Sequence, residues 1–354
     1  MTAPEPTRAD VPPPGAPWPA AAPERAGFDR ARLADAHAWL ADAAGEAACR
    51  VGVYRHGLAV AEWCRGLPPS RQVQMASAAK SVYSCMLGIA VREGRIGSAD
   101  DRVVDYYPEM MDVPEGRGPK PGRHAKPDDR DITFRQLISN TSGYMKPDEP
   151  PGSTFHYQTF GMNILCHALA VAHGLYDSAD PARLPGPGAL AERMIRDPIG
   201  ASWSSCYSNF PHPPEALTGI FGNYLQLSAS LDDLARLGRL WLDLGRWGDR
   251  QVVPDGWLRE AVRTAPEVHA ASSAARGERF EGEALCYGYG FWTNEPGLLW
   301  PSLPRDSFAA SGAGRIHVWV CPSLDLVVVQ SPGVYTHQRD NDSGLLGRIV
   351  AALA

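Results

Sequence analysis

Hydrophobic spacing changes several times along this chain, and each change marks an element. From Asp29 to Ala44, Leu33, Ala36, His37 and Leu40 recur at the helical period that buries one face. From Arg50 to Arg65 the period drops to two, with Val51 and Val53, then Leu58 and Val60, on either side of His56-Gly57, which predicts a β-hairpin. Ala78 to Gly94 is a good helix-forming run. Near the other end Ile316, Val318 and Val320 alternate with His317, Trp319 and Cys321. Pro322 to Asp325 then turns the chain, and Leu326 to Gln330 is a fully apolar strand. Asn341 to Ala354 closes with a helix carrying Leu345, Leu346, Ile349 and Val350 on one side. Helix and strands at both ends, with mostly helical and loop sequence between, predict an α+β fold: an antiparallel sheet built from both termini, with a helical subdomain inserted in the middle. Val113 to Arg130 and Ala265 to Glu283 are polar, aperiodic and rich in Pro, Gly or charge, so both are expected as long loops. Such loops are solvated excursions, and they also supply lids and binding loops. There is no internal repeat.

Length and composition narrow the picture. A chain of 354 residues is long for one core and short for two independent enzymes. The expected organisation is a flexible Pro/Ala-rich leader at 1–27 and a single domain at 28–354. Its sheet subdomain falls at about 28–75 and 285–354, and its helical subdomain at about 76–284. Hydrophobic residues at 44% and charged residues at 21% are those of a soluble globule. A net charge of −6 leaves no basic stripe, which argues against nucleic acid and acidic polymers as partners. The leader has no basic n-region and no continuous apolar stretch, so neither a signal peptide nor a membrane anchor is expected. Seven cysteines without paired spacing fit reduced thiols and a cytoplasmic protein. The preference for Arg over Lys and the abundance of Ala, Gly and Pro look like genomic composition and carry no functional reading.

Chemistry enters at Ser77-Ala78-Ala79-Lys80. The chain has only four lysines, and only Lys80 has a serine three residues before it. That spacing at a helix start projects a hydroxyl and an amine from one face, a nucleophile beside its base. A serine hydroxyl needs such a base, and a lysine serves only where desolvation or positive charge lowers its pKa. The helix N-terminus adds partial positive charge, which disfavours ammonium at Lys80 and favours an oxyanion near the Ser77 amide. The bland alternative is an N-cap serine and a snorkelling surface lysine. Other chemistries find less support. No Gly-x-Ser-x-Gly elbow exists. Gly312-Ala313-Gly314 precedes a strand rather than a helix, which is wrong for a dinucleotide loop. Cys166 and His167 diverge by about 100° on a helix and cannot form a dyad. The histidines lack metal spacing, so neither metal nor cofactor is expected. Tyr287 to Trp292 reads as core more readily than as site, although aromatics there would make an apolar acyl pocket.

Longer motifs add a resemblance. The run Gln74 to Ser81, then Leu87 to Ala90, Glu93 to Ile96 and Asp101 to Glu109 resembles the serine β-lactamase and penicillin-binding-protein superfamily. Ile132 to Gly143, ITFRQLISNTSG, is similar to the "ITIRHLLTHTSG" run of its class C branch, which also holds esterases and 6-aminohexanoate-dimer hydrolases. Leu231 to Gly238, Gly245 to Trp247, Val253 to Trp257 and Tyr287 to Trp292 look like the nylon-hydrolase side of that branch. The resemblance implies a β-lactamase/transpeptidase-like fold with the site in the cleft between the subdomains, Ser77 as nucleophile and Lys80 as its base. The family's second element is Tyr-x-Asn after "PGxxFxY". Pro151 to Thr159 carries that frame, which gives Tyr157 the proton-relay role but places Thr159 where Asn is expected. Tyr207-Ser208-Asn209 matches the letters in the wrong place and reads as a decoy. The third element is Lys-Thr-Gly or His-x-Gly on the strand lining the site. Ser311-Gly312-Ala313-Gly314-Arg315 opens that strand with neither Lys nor His in the motif, so the usual anchor for a substrate carboxylate is missing. The amides of Ser77 and of Ala313 or Gly314 are then expected to hold an oxyanion. Thr159, Ser311, Gly312, Arg315, Tyr287 and Trp292 are the expected substrate contacts, with Arg315 a replacement cation if it turns into the cleft. The implied activity is serine hydrolysis of an amide or ester of a small, uncharged substrate through an acyl-enzyme. The alternatives are acyl transfer to an amine or alcohol on the same machinery, and a non-catalytic binding protein on a degenerate scaffold.

Overall fold

The computed structural model describes residues 9–208, 224–273, 284–334 and 344–353. Helix α1, Arg30–Ala44, starts at Asp29, whose carboxylate accepts from the Arg32 amide at 2.9 Å and caps the first turn. Strands β1, Cys49–Arg55, and β2, Leu58–Arg65, form the expected hairpin. Its turn holds His56 at φ 53° and Gly57 at φ 73°, the left-handed pair that matches the twist of the flanking strands.

Three further strands join the hairpin in a six-stranded antiparallel sheet: β8, Phe308–Gly312, β9, Ile316–Cys321, and β10, Leu326–Gln330. A short edge strand β7, Trp292–Thr293, sets the order β7-β8-β9-β10-β1-β2. Val51 pairs with Gln330 and Arg55 with Leu326, so the two ends of the chain meet at the sheet centre. Strands β9 and β10 are buried along their whole lengths, which requires cover on both faces. Helix α5, Leu231–Leu242, supplies part of it, so close that a Cβ on Gly238 would lie 2.4 Å from Val327. Helix α6, Leu345–Ala351, packs on α1.

The insertion differs from expectation in one respect. It contains helices α2, Ala79–Arg92, α3, Phe134–Ile138, and α4, Phe160–Ala172, but also a second sheet. In it β3, Val73–Gln74, pairs with β6, Tyr224–Ala229, which pairs with β5, Ser204–Ser208. A two-residue strand β4, Thr154–Phe155, runs parallel to Ser272–Ser273. The first part of the expected 265–283 loop is therefore structured, with a helix at Pro266–Ala270, and 274–283 lies outside the described residues.

Residues 1–8 lie outside the described residues, and 9–27 make specific hydrogen bonds to the domain. Proline-rich backbone offers carbonyls with few N–H donors. Arg236 of α5, fully buried, donates to Pro12 O at 3.3 Å, Pro13 O at 3.3 Å and Ala16 O at 2.7 Å. Beyond it the Ala59 amide donates to Pro19 O at 2.9 Å, and Ala21 donates back to Ala59 O at 3.0 Å. All seven cysteines are free thiols. Among the described residues no helix is long and apolar enough to cross a membrane.

Candidate active site

The two subdomains meet at the head of α2. Ser77 sits in a single 3₁₀ turn, Ala76–Ala78, that runs directly into the helix, and the Met75 amide is tied to Leu227 O of β6 at 2.7 Å. Ala76 has φ 48°, an uncommon value for a residue with a side chain, and this sharp turn redirects the chain from β3 into α2. Lys80 follows one turn later. Its Nζ donates to Ser77 Oγ at 2.8 Å, and the lysine is 1% exposed. Residues 79–90 of α2 are all buried, so this is a central helix and the amine is held by packing as well as by the hydroxyl. The first turn is locked from a second side, because Ser81 Oγ donates to Gly290 O at 2.6 Å. A Cβ on Gly290 would come within 2.7 Å of the Lys80 carbonyl oxygen, so the Tyr287 to Trp292 segment can approach only through glycine.

Tyr157 covers the amine, and Lys80 Nζ lies 4.7 Å from its ring centroid. Trp292 stacks on that ring at 5.6 Å and 27°, and Tyr287 meets it edge-on at 5.8 Å and 89°. Both are buried, at 1% for Tyr287 and 2% for Trp292, and pack against the Tyr157 ring. The Ile132 to Gly143 run explains how the tyrosine loop is held. Thr133 and Gln136 form a capping box that opens α3, at 3.2 Å and 3.0 Å. Just past the helix and its C-cap Ser139, Asn140 stands at φ 60°; its carbonyl accepts the His156 amide at 2.8 Å and its side-chain Oδ1 accepts the Gln158 amide at 3.0 Å. One asparagine thus pins the backbone on both sides of Tyr157. Thr159 stands at the N-cap position of α4 without a side-chain cap, and its carbonyl accepts the Asn163 amide at 3.0 Å. Tyr207 and Ser208 run in β5; the Tyr207 side chain and Asn209 lie outside the described residues.

The third wall is the end of β8. Strand β7 pairs only with Phe308 and Ala309, and beyond them β8 runs on toward the nucleophile turn. A Cβ on Gly312 would lie 2.1 Å from the Met75 carbonyl oxygen and 3.0 Å from the Ala78 nitrogen, so the strand end and the turn touch backbone to backbone. Ala313, Gly314 and Arg315 form the exposed loop into β9, with Gly314 at φ 80° and Arg315 at φ 65°. Ala313 directly follows the contacting glycine, whereas Gly314 has nothing within 4 Å of its Cβ position. Arg315 stands at the hairpin tip. Ser311, half-buried, pairs across the strands with His317, a neighbour that sequence reasoning treated only as part of the alternation. Complete burial pushes the His317 imidazole down to about 3, so it supplies no cation at neutral pH.

A separate groove of about 960 Å³ lies between the leader and β2 and is lined in part by Pro14, Ala59, Ser70, Ser202 and Asp232. Its lining holds no lysine, histidine or cysteine; its ionisable side chains are the carboxylates Glu62, Asp197 and Asp232, and none of the described hydrogen bonds joins a groove serine to a lysine as Ser77 is joined to Lys80.

Comparison with known proteins places the chain in a family and agrees with the fold. The Beta-lactamase family model matches residues 38–343. Among solved structures, a candidate β-lactamase from Bacteroides dorei superposes with TM-score 0.67 at 17% identity, covering 92% of this chain and 99% of that one. A candidate 6-aminohexanoate-dimer hydrolase from Bacillus anthracis gives TM-score 0.61 at 18% identity, over 98% of this chain and 88% of that one. EstCE1, a hydrolase with promiscuous acyltransferase activity, gives TM-score 0.62 at 12% identity, over 91% and 97%. At such identities the likeness is one of fold. No curated protein matches the sequence.

Proposed function

The chain belongs to the β-lactamase family of hydrolases, and within it we propose a serine hydrolase that cleaves an amide or ester of a small, uncharged substrate through an acyl-enzyme. The observation that carries this reading is the 2.8 Å bond between Ser77 Oγ and a lysine amine almost without solvent contact. Burial removes the water that would solvate an ammonium, the condition under which a lysine acts as base. Ser77 attacks the substrate carbonyl as Lys80 takes its proton. The oxyanion is held by the Ser77 amide and by that of Ala313, next to the glycine that touches the nucleophile turn. The proton then passes by way of Lys80 and the Tyr157 hydroxyl to the leaving group, and a water repeats the sequence in reverse to release the acyl group.

The uncharged-substrate reading is supported by the strand end. Ala310, Ser311 and Gly312 carry no charge, His317 is neutral, and Arg315 stands at an exposed hairpin tip. The name of the Bacillus anthracis neighbour, a dimer hydrolase, is compatible with amide cleavage. Intact-mass measurement after incubation with a fluorophosphonate tests the proposal. One adduct is expected on the wild type and none on Ser77→Ala; equal labelling of the two would overturn it.

A further inference from the structure

Only four lysines occur in the chain, and two are buried: Lys80, and Lys146, whose side chain is 5% exposed. Lys146 follows the tight turn that begins at Asn140. Its ammonium meets Glu149 Oε1 at 2.9 Å and also His156 Nδ1, and that imidazole nitrogen lies 3.1 Å from the same Glu149 oxygen. Glu149 and His156 are themselves largely buried, at 16% and 17% side-chain exposure. A charge placed in such surroundings is tolerated only with its partner, so the three groups form one unit in which removing a member leaves another uncompensated.

This knot lies beside the candidate site. His156 immediately precedes Tyr157, and residues 156–158 belong to no helix or strand. Asn140 holds their backbone at His156 and Gln158, and the Gln158 side chain donates to Ser142 Oγ at 3.2 Å. Tyr287 and Trp292 wall the Tyr157 ring, but they do not hold the chain from which it projects. The His156 side chain does, by tying that chain to the 146–149 turn. We propose that Lys146, Glu149 and His156 are a positioning clamp that sets Tyr157 over Lys80 and so governs the rate of proton transfer at Ser77. The inference rests on the serine-hydrolase reading above. Small displacements of a reacting group cost far more in rate than in binding, so the clamp acts on kcat.

A double-mutant cycle with a neutral short-chain ester tests it, using wild type, His156→Ala, Tyr157→Phe and the double variant. His156→Ala is expected to lower kcat about tenfold or more with KM within about twofold, and His156→Gln, which again offers Lys146 an acceptor, to recover most of that loss. In the Tyr157→Phe background the same His156→Ala change is expected to cost less than about threefold. An equal loss in both backgrounds, or a change confined to KM, would overturn the clamp and leave His156 a structural residue. If His156→Ala does not fold, Glu149→Gln, which keeps the volume and removes the charge, runs the same cycle. Fluorophosphonate labelling of the wild type separates the two claims. Labelling with an additive cycle sinks the clamp alone, whereas absent labelling sinks the serine-hydrolase reading beneath it.

Discussion

The head of α2 and the end of β8 touch at Gly312, yet they are built in opposite ways. At the head of α2 every group is constrained: Ala76 is held at φ 48°, Ser77 and Lys80 are joined at 2.8 Å, and Gly290 presses on the Lys80 carbonyl. At the strand end the side chains are small, half-buried or exposed, and the His317 imidazole paired with Ser311 is kept neutral by burial. In the proposed mechanism the first region makes and breaks the bond, and the second, which lacks a charge that would hold a carboxylate, chooses the substrate. On that reading bond-making chemistry and substrate choice are carried by separate elements, and one can be complete while the other is bare.

The comparison breaks most severely at the nucleophile. Ser77→Ala and Lys80→Arg should each lower kcat by on the order of 10³ or more and should not be additive, since the pair acts as a unit. A guanidinium stays protonated and cannot accept the hydroxyl proton. Single-turnover rates with a chromogenic ester decide this, and residual activity within about tenfold of wild type would count against the assignment.

Gly312→Val attacks the contact between the two regions. A branched side chain where a Cβ already meets Met75 O at 2.1 Å must push the strand from the turn. We expect acylation to slow by roughly 10²-fold, the cost of about 1 Å of misplacement, with the fold intact by circular dichroism. Unchanged acylation would mean that the strand end is not part of the site.

The last effect is read in stability rather than in rate and concerns the neutrality of the strand end. His317 is pushed from its ordinary 6.5 down to about 3. The unfolded chain therefore takes up a proton that the native state refuses, and stability falls as pH drops from about 6.5 toward 3, by up to ~1.4 kcal/mol per pH unit. Asp129 works in the other direction: burial lifts it from 3.8 to about 6, so its contribution grows as pH falls through that interval and is lost as pH rises through 6. His317→Gln should flatten the acid limb of stability relative to wild type in thermal unfolding at stepped pH. An identical limb would show that His317 is not held neutral.

What could be read from the sequence follows the range over which each feature is decided. Both hairpins were legible because alternation and turn residues lie in one short window, His56-Gly57 in the first and Pro322 to Asp325 in the second. The Ser77–Lys80 pair was legible because a helix fixes residues three apart on one face. The small β3-β6-β5 sheet was not: β3 is two residues long and owes its existence to Ala229 and Ser228, far along the chain. The leader's contacts with the domain were not legible, because its carbonyl acceptors near Pro12 and their donor Arg236 are separated by most of the chain. Tyr287 and Trp292 showed aromatic character but not that Tyr157 would fill the space in front of them. The Lys146, Glu149 and His156 cluster gave no motif at all, and only the folding of two loops together reveals it.

The central claim, a complete nucleophile facing a site without a carboxylate anchor, is tested most directly by kcat/KM for a neutral short-chain ester and a chromogenic cephalosporin, side by side, in wild type and Arg315→Ala. A charged hydrogen bond contributes about 1.5–3 kcal/mol, so its absence predicts that the ester is favoured by one to two orders of magnitude. Arg315→Ala should alter neither value by more than about twofold. Efficient cephalosporin hydrolysis that collapses in Arg315→Ala would contradict the account and make Arg315 the missing anchor.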